Sequence, residues 1–261
     1  MEEIFFRKLG KGKSVILIHG FCETHEIWSG FAEDFSGEFE VFSVDLPGFG
    51  KSPIPPPPFS IRDIALKMLD WTDRNNISQP FVVGHSLGGY VALAMAQLEQ
   101  EKISGICLFH STPYPDSEER KSNRNRVMEF VKVNGVGPFV DTFVPGLFLD
   151  KKHPSIPYVD RMAQKTSTET LQAYTVAMRD RPSSVDFLTG FEKPTLVLAG
   201  EKDTIIPPES IREIARRARN CTVQVLQDTA HMAMFEQPEK AKRIVRGFIR
   251  GVEAGQRGSF F

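Results

Sequence analysis

Ser86 is the residue whose surroundings most clearly predict chemistry. It lies in a Gly-x-Ser-x-Gly sequence at residues 84–88, after an apolar run and before a helical pattern. A serine hydroxyl is a weak nucleophile unless the fold exposes it, holds it rigidly and brings a base within reach. Glycines two residues to either side allow a strand and a helix to approach closely. The pattern therefore predicts a sharp strand–turn–helix that presents Ser86.

Two further residues supply the acid and the base that an activated serine needs. Asp203 comes three residues after the apolar run at residues 194–200, and His231 follows the run at residues 222–226. Both runs are predicted strands, so both side chains would lie at strand carboxyl ends. The carboxylate would orient the imidazole, whose other nitrogen accepts the serine proton. Asp228 is a weaker candidate for the acid because it belongs to the exit of the final strand.

Two backbone N–H groups are candidates for stabilising negative charge on a substrate oxygen. Leu87 follows the serine at the start of a predicted helix, where N–H groups lack partners within the helix. Phe21 follows His19-Gly20 at the end of the first predicted core strand. Fixed donors that face a developing oxyanion contribute strongly to acyl-transfer catalysis. The sequence therefore predicts an oxyanion hole formed by the amides of Phe21 and Leu87.

Short apolar runs alternate with helical patterns and provide the elements that must position these groups. Runs that are apolar on both faces are typical of parallel strands covered by helices on each side. Their alternation with helices predicts an α/β fold with a doubly wound, mostly parallel sheet. The predicted strands are 14–18, 40–45, 80–84, 105–109, 194–200 and 222–226, and the predicted helices are 60–74, 87–100, 208–219 and 238–252.

The stretch from residue 112 to residue 190 interrupts this alternation. It contains no convincing strand, and its pattern predicts helices at about 118–133 and 160–179. A helical cap inserted over the carboxyl edge of the sheet is the simplest explanation. We therefore expect a core formed by residues 1–111 and 191–261, and a cap formed by residues 112–190.

With these residues in place, the chain resembles the α/β-hydrolase superfamily over nearly its whole length. Five motifs occur in the order that the superfamily requires, which makes chance coincidence negligible. The matching residues are His19-Gly20-Phe21, residues 45–52 (DLPGFGKS), residues 84–89 (GHSLGG), residues 200–203 (GEKD), and His231 followed by Glu236-Gln237-Pro238.

The resemblance implies a Ser-Asp-His hydrolase of the α/β-hydrolase fold with an inserted helical cap. Residues 177–182 are similar to the capped branch that includes enol-lactonases and small carboxylesterases. Ala230 stands where many relatives have glycine, a change too small to move the imidazole far. Serine at position 86 disfavours haloalkane dehalogenase and epoxide hydrolase chemistry, because those relatives use aspartate there.

Five residues are candidates for the substrate pocket. Cys22 follows the oxyanion residue, and His110 ends a strand at the active edge of the sheet, although packing is an equally good interpretation. Aromatic residues in the cap could line the pocket or form the cap's own core. An arginine in the Arg-Asp-Arg cluster could bind a substrate carboxylate or form a salt bridge on the cap. The candidates are Cys22, His110, Phe139, Phe143 and Arg181.

The composition excludes several other classes of protein. Lys and Arg total 32 against 33 Asp and Glu, for a net charge of -1, whereas a nucleic-acid binder needs an excess of cations. The three cysteines stand far apart without a Cys-x-x-Cys pair, so neither a disulfide framework nor a zinc cluster is indicated. No apolar run approaches the roughly 18 residues of a membrane span. We expect a cytoplasmic monomer or homodimer that acts on a small molecule without metal or cofactor.

The predicted activity is hydrolysis of an ester, lactone or related carbonyl through an acyl-enzyme. Cleavage of a carbon–carbon bond in a β-diketone-like substrate, or of an amide by an aminopeptidase-like relative, would use the same three residues. A signalling protein that binds a small hydrophobic ligand and hydrolyses it slowly could also use this fold. The pocket decides between these activities, and the sequence leaves the three alternatives open.

Overall fold

A seven-stranded sheet crosses the structure. The structure is a computed structural model and describes residues 3–253, except for the side chains of residues 208–210, 212 and 215. The strands are β1 (Phe6–Leu9), β2 (Lys13–Ile18), β3 (Phe39–Val44), β4 (Phe81–His85), β5 (Gly105–Phe109), β6 (Thr195–Gly200) and β7 (Cys221–Leu226). Their order in the sheet is β1-β3-β2-β4-β5-β6-β7. Every neighbouring pair is parallel except β1 and β3. The predicted mostly parallel α/β sheet is confirmed.

The antiparallel edge strand β1 was not predicted from the sequence. It has only four residues, and its two central side chains, Arg7 and Lys8, are exposed. Such a short segment with two adjacent charges has neither an apolar run nor a regular alternation. Its pairing with β3, from Phe6 opposite Val44 to Leu9, becomes evident only in the folded sheet.

Helices cover both faces of the sheet. They are α1 (Ser29–Phe35), α2 (Ile61–Arg74), α3 (Leu87–Leu98), α4 (Glu118–Asn134), α5 (Val136–Gly146), α6 (Ile156–Ala163), α7 (Thr168–Arg179), α8 (Val185–Gly190), α9 (Pro208–Arg217), α10 (Ala233–Glu236) and α11 (Pro238–Glu253). Among the described residues, no helix combines the length and the apolar character that crossing a bilayer requires.

Successive side chains of the strands alternate between two hydrophobic cores, one on each face of the sheet. In β2, Ile16 and Ile18 belong to the core shared with α2 and α3, whereas Val15 and Leu17 belong to the core shared with α1 and α11. Because successive side chains of a strand point to opposite faces, a strand covered on both sides must be apolar at every position. This explains the continuous apolar runs in the sequence.

The five helices α4 to α8 lie between β5 and β6 in the chain, and we call residues 118–190 the helical segment. The prediction of a single helix over residues 160–179 is wrong, because α6 ends at Ala163 and α7 begins at Thr168. Residues 164–167 separate them, and the Ser167 hydroxyl accepts a hydrogen bond from the Thr170 backbone N–H. Such an N-cap satisfies a backbone N–H at the start of the new helix and so stabilises the chain after the break.

The crossing of β4 and α3 is close enough to require glycine. A Cβ atom added to Gly84 would lie 2.2 Å from the backbone oxygen of Gly88, and one added to Gly88 would lie 2.5 Å from the oxygen of Ile18. These obstacles are backbone atoms, which cannot move independently of the sheet and helix. The glycines of the serine motif thus allow the strand–turn–helix to form.

We expect Gly84→Ala to lower the free energy of unfolding by about 3 kcal/mol, because the methyl group would force β4 and α3 apart. Chemical denaturation measures this change. Gly30→Ala in α1 is the matched control: its Cβ would meet no atom within 4 Å, and alanine favours the helix by about 1 kcal/mol. Equal stability of the two variants would contradict the close-packed crossing.

Candidate active site

Ser86 occupies a strained turn between β4 and α3. Its backbone has φ 50° and ψ −111°, in the positive-φ region that non-glycine residues avoid. Such strain costs on the order of 1–3 kcal/mol and persists only where surrounding contacts enforce it. Here the Ser86 N–H donates to the Phe109 oxygen at 3.0 Å, and its carbonyl accepts from the Gly89 N–H at 3.0 Å and the Ser111 hydroxyl at 2.7 Å.

Asp203 and His231 form a buried hydrogen-bonded pair. Asp203 Oδ2 accepts from His231 Nδ1 at 2.8 Å, while Oδ1 accepts from the N–H groups of Ile205 and Ile206 at 2.8 and 2.9 Å. Burial alone would raise the pKa of Asp203, but the nearby imidazoles and their hydrogen bonds hold it far below its ordinary value. A carboxylate can only accept, so His231 Nδ1 carries the proton and Nε2 is free to accept one.

Ser86 and His231 face one cavity of about 60 Å³. Of the ten other described side chains that line it, five are apolar and five are polar or charged. The apolar side chains in the wall are Phe21, Phe143, Leu147, Met178 and Ile205.

A buried ion pair supports the predicted oxyanion turn. Glu23 Oε2 accepts from the Gly20 N–H at 2.6 Å and from His85 Nδ1 at 2.9 Å, and His85 Nε2 donates to the His231 carbonyl at 3.0 Å. Both ring nitrogens of His85 face acceptors, so the ring is an imidazolium. Burial alone would lower the pKa of His85, but the Glu23 carboxylate raises it above its ordinary value. The pair links the turn before Phe21 to the backbone of His231.

His19 and His85 flank the oxyanion and serine turns in the sequence, a position that predicts packing and hydrogen bonding within those turns, whereas Glu23 was not predicted. His19 lies as expected: Nδ1 donates to the Gly20 oxygen at 2.7 Å, and Nε2 accepts from the Leu46 N–H at 2.9 Å. The His85 ring also contacts residues outside its own turn, in the loop after β2 and in the loop after β7. The sequence did contain a signal for Glu23, because the carboxylate of an acidic residue three positions after a turn glycine can accept a hydrogen bond from the N–H of that glycine.

His110 is a second histidine on the same carboxylate oxygen. Its Nδ1 donates to Asp203 Oδ2 at 2.9 Å, the ring is fully buried, and burial lowers the pKa of His110 to about 4. Its Nε2 has no hydrogen-bond partner within the described part of the chain. The three potential ligand atoms of His110, Asp203 and His231 lie within 4.8 Å of one another. A metal ion there would have to displace the bonds that both histidines already make to Asp203.

The structure distributes the predicted pocket residues over several places. Phe143 lines the cavity, and Phe139 stacks on it with ring centroids 5.0 Å apart. Cys22 is buried, and Arg181 stacks on Tyr90 at 3.9 Å while lining a different cavity. Within the described residues, Cys22, His110, Phe139 and Arg181 are therefore not part of the wall that faces Ser86.

Two arginines that sequence reasoning did not single out do belong to that wall. Arg120 and Arg124 extend from α4 into the cavity that contains Ser86. Their spacing of four residues places them on one face of the helix. That spacing was visible in the sequence, but nothing in it indicated which face of α4 would turn towards the serine.

The sheet order, the covering helices and the strand–serine–helix turn define the class of α/β-hydrolases. Residues 13–238 match the family model described as alpha/beta hydrolase fold, and the chain belongs to that family. It is a hydrolytic enzyme of this fold.

The similar proteins include several esterases. A thermophilic esterase from Thermogutta terrifontis, solved in a malate-bound form, is 32% identical, with a TM-score of 0.90 over 95% of this chain and 93% of that chain. The enol-lactonase from Burkholderia xenovorans shares the fold at 20% identity, with a TM-score of 0.88 over 95% and 96% of the two chains. The pimeloyl-[acyl-carrier protein] methyl ester esterase of Methylococcus capsulatus is 25% identical over 266 residues, which are 94% of this chain and 98% of that protein.

We expect Glu23→Gln to lower the free energy of unfolding by about 3 kcal/mol, because it leaves a buried imidazolium without its counter-ion. Chemical denaturation near neutral pH measures this loss. Glu26→Gln changes a half-buried glutamate of the same loop and serves as the control, with an expected change below about 0.5 kcal/mol. A Glu23→Gln variant as stable as the control would refute the charged pair.

His110 predicts a pH dependence of stability. Its pKa is about 4 in the folded chain against 6.5 ordinarily, so below pH 6.5 the unfolded chain binds a proton that the folded chain does not. Stability should therefore fall as the pH drops from 6.5 towards 4, with His110 contributing on the order of 3 kcal/mol. His110→Gln should show a shallower decline in unfolding free energy over that range. Equal slopes for wild type and variant would count against a buried neutral His110.

Proposed function

We propose that the protein is a carboxylic ester hydrolase in which Ser86 is the nucleophile, His231 the general base and Asp203 its orienting acid. One observation carries the proposal. The His231 ring, held by Asp203 at 2.8 Å with its second nitrogen free, faces the same cavity as the strained Ser86. This arrangement supplies a fixed nucleophile and a base with the required tautomer.

In the first half of the reaction, Ser86 Oγ attacks the carbonyl carbon of an ester or lactone while His231 Nε2 accepts its proton. Negative charge moves to the carbonyl oxygen, which accepts hydrogen bonds from the amides of Phe21 and Leu87. The imidazolium then donates the proton to the leaving alkoxide. An acyl-enzyme remains; the alcohol of an ester departs, whereas that of a lactone stays attached to the acyl group.

In the second half, His231 accepts a proton from a water molecule, which attacks the acyl carbon. The same two amides hold the oxyanion, and the proton passes to Ser86 Oγ as the carboxylic acid leaves. Asp203 remains ionised throughout, because its two oxygens keep accepting from N–H groups. Its charge stabilises the imidazolium in both halves.

We further propose that residues 112–190 act as a cap on a core made of residues 1–111 and 191–261. Tyr174 donates to the Pro47 oxygen at 2.7 Å and Thr170 to the Gly48 oxygen at 2.9 Å, which ties α7 to the loop after β3. The His231 N–H donates to the Leu147 oxygen at 3.0 Å, so the helical segment also contacts the base directly. Such contacts support a cover that keeps bulk water from the acyl-enzyme.

The names of similar proteins favour ester hydrolysis over the other activities of the fold. The Thermogutta protein is called an esterase, and several curated relatives are called methyl ester esterases. The substrate is proposed to be a small molecule. The cytoplasmic location and the monomeric or homodimeric state stay predictions.

Hydrolysis of short-chain p-nitrophenyl esters tests the proposal. The wild type should turn over many times, whereas a slow ligand-binding protein would release one equivalent of p-nitrophenol and stop. Ser86→Ala should lower kcat by about 10⁴-fold or more, because removing the nucleophile leaves only binding and the oxyanion donors.

Ser78→Ala, at an exposed position, is the matched control and should keep wild-type activity. Retention of normal esterase activity by Ser86→Ala would end the proposal. A faster reaction with dipeptide amides or β-diketones than with any ester would assign the site to the amide or carbon–carbon alternative.

A further inference from the structure

The wall of the catalytic cavity combines apolar side chains with two guanidinium groups. Arg120 and Arg124 line it together with Ser86 and His231, and both are half-buried. Hydrolysis of a neutral ester requires no cation at this place, because the nucleophile, base and oxyanion donors account for the reaction. Partial burial of a charged group is unfavourable unless a partner compensates for the lost water.

These arginines stand where the pattern of α4 would otherwise place apolar residues. Arg120, Arg124, Val127 and Val131 fall on one face of the helix, at intervals of four, three and four residues. Val131 is buried, and Val127 packs against the core below it. The same face therefore continues from the core into the catalytic cavity, where it changes from apolar to cationic.

The nearby acidic groups do not neutralise the two cations. Arg124 donates to Asp116 Oδ2, but Arg181 donates to Oδ1 of the same carboxylate at 2.8 Å. Arg120 donates to the Ile205 carbonyl, and no ion pair joins it to any side chain that the structure describes. Arg124 and Arg181 thus share one carboxylate, and Arg120 is paired with none, so three guanidinium groups and one carboxylate leave an excess of two positive charges.

The other carboxylates at the site are already committed. Glu23 also lines the cavity, but it forms an ion pair with the His85 imidazolium and adds no net charge. Asp203 is not among the described residues of the cavity wall, and its oxygens already accept four N–H groups. The positive charge of the arginines therefore remains available to a ligand in the cavity.

We propose that the substrate is an ester that also carries a carboxylate, and that Arg120 and Arg124 bind this second group. The inference rests on the proposed ester hydrolysis and specifies its substrate class. A guanidinium has five N–H donors, so Arg120 keeps donors for a ligand after bonding the Ile205 carbonyl. Its planar geometry suits a carboxylate better than a lysine ammonium would.

Four simple esters test the inference and locate the carboxylate. Methyl hydrogen adipate carries it on the acyl side, and methyl hexanoate is the counterpart with a methyl group in its place. The pair 4-acetoxybutanoate and butyl acetate tests the alcohol side in the same way. Titration of the released acid at constant pH gives kcat/KM for each. The wild type should prefer one charged ester over its counterpart by about 10-fold or more.

Variants of α4 show whether the arginines cause this preference. Arg120→Gln should reduce the charged-to-neutral ratio of kcat/KM by about 10-fold, and Arg124→Gln should reduce it too. Arg126 lies on the exposed, opposite face of the same helix, so the control variant Arg126→Gln should keep the wild-type ratio. Raising NaCl from about 20 to about 500 mM should also lower the ratio in the wild type, since salt screens charges. The salt test requires no variant and is independent of any folding defect.

The outcomes separate the inference from the proposed function. Turnover of the neutral esters with no preference for either charged ester would overturn the inference and leave ester hydrolysis standing. A preference that Arg120→Gln, Arg124→Gln and salt all leave unchanged would also overturn it. Failure of the wild type to hydrolyse any ester, charged or neutral, would overturn the proposed function and the inference with it.

Discussion

The buried carboxylate of Asp203 is the charge around which the site is organised. It accepts hydrogen bonds from His231, His110 and the N–H groups of Ile205 and Ile206. A carboxylate removed from water must have such partners, because an unpaired buried charge is strongly destabilising. These donors come from the segments that follow β5, β6 and β7. The requirement to satisfy one charge therefore brings three strand ends together beside Ser86.

A second requirement is that Ser86 keep a strained backbone. Gly84 lets α3 approach β4 closely, and hydrogen bonds to β5, to α3 and to the loop after β5 hold the serine in the positive-φ conformation. The Glu23–His85 pair continues the same network towards the proposed oxyanion turn. Ser86, His231 and the proposed oxyanion turn are thus positioned by backbone packing and buried charge together. Preorganised polar groups of this kind need little rearrangement when charge develops in a transition state.

Features that are local in the sequence could be predicted, and those that depend on distant contacts could not. The serine turn is encoded by neighbouring glycines, and the sheet by apolar runs, so both were predictable. Glu23 acquires its role from His85, which lies 62 positions away in the chain. Arg120 was missed because its orientation depends on Ile205, 85 positions away. The break between α6 and α7 was obscured because the helical pattern continues across the Ser167 cap.

We propose that Ser86 is a nucleophile activated by His231, with which it shares a cavity. Reaction with a fluorophosphonate, followed by mass spectrometry of the tryptic peptides, measures this most directly. We expect one phosphonyl group per chain, carried by Ser86, and greatly slowed labelling in a His231→Ala variant. Modification of a different residue would contradict it, and so would an active esterase whose Ser86 remains unlabelled.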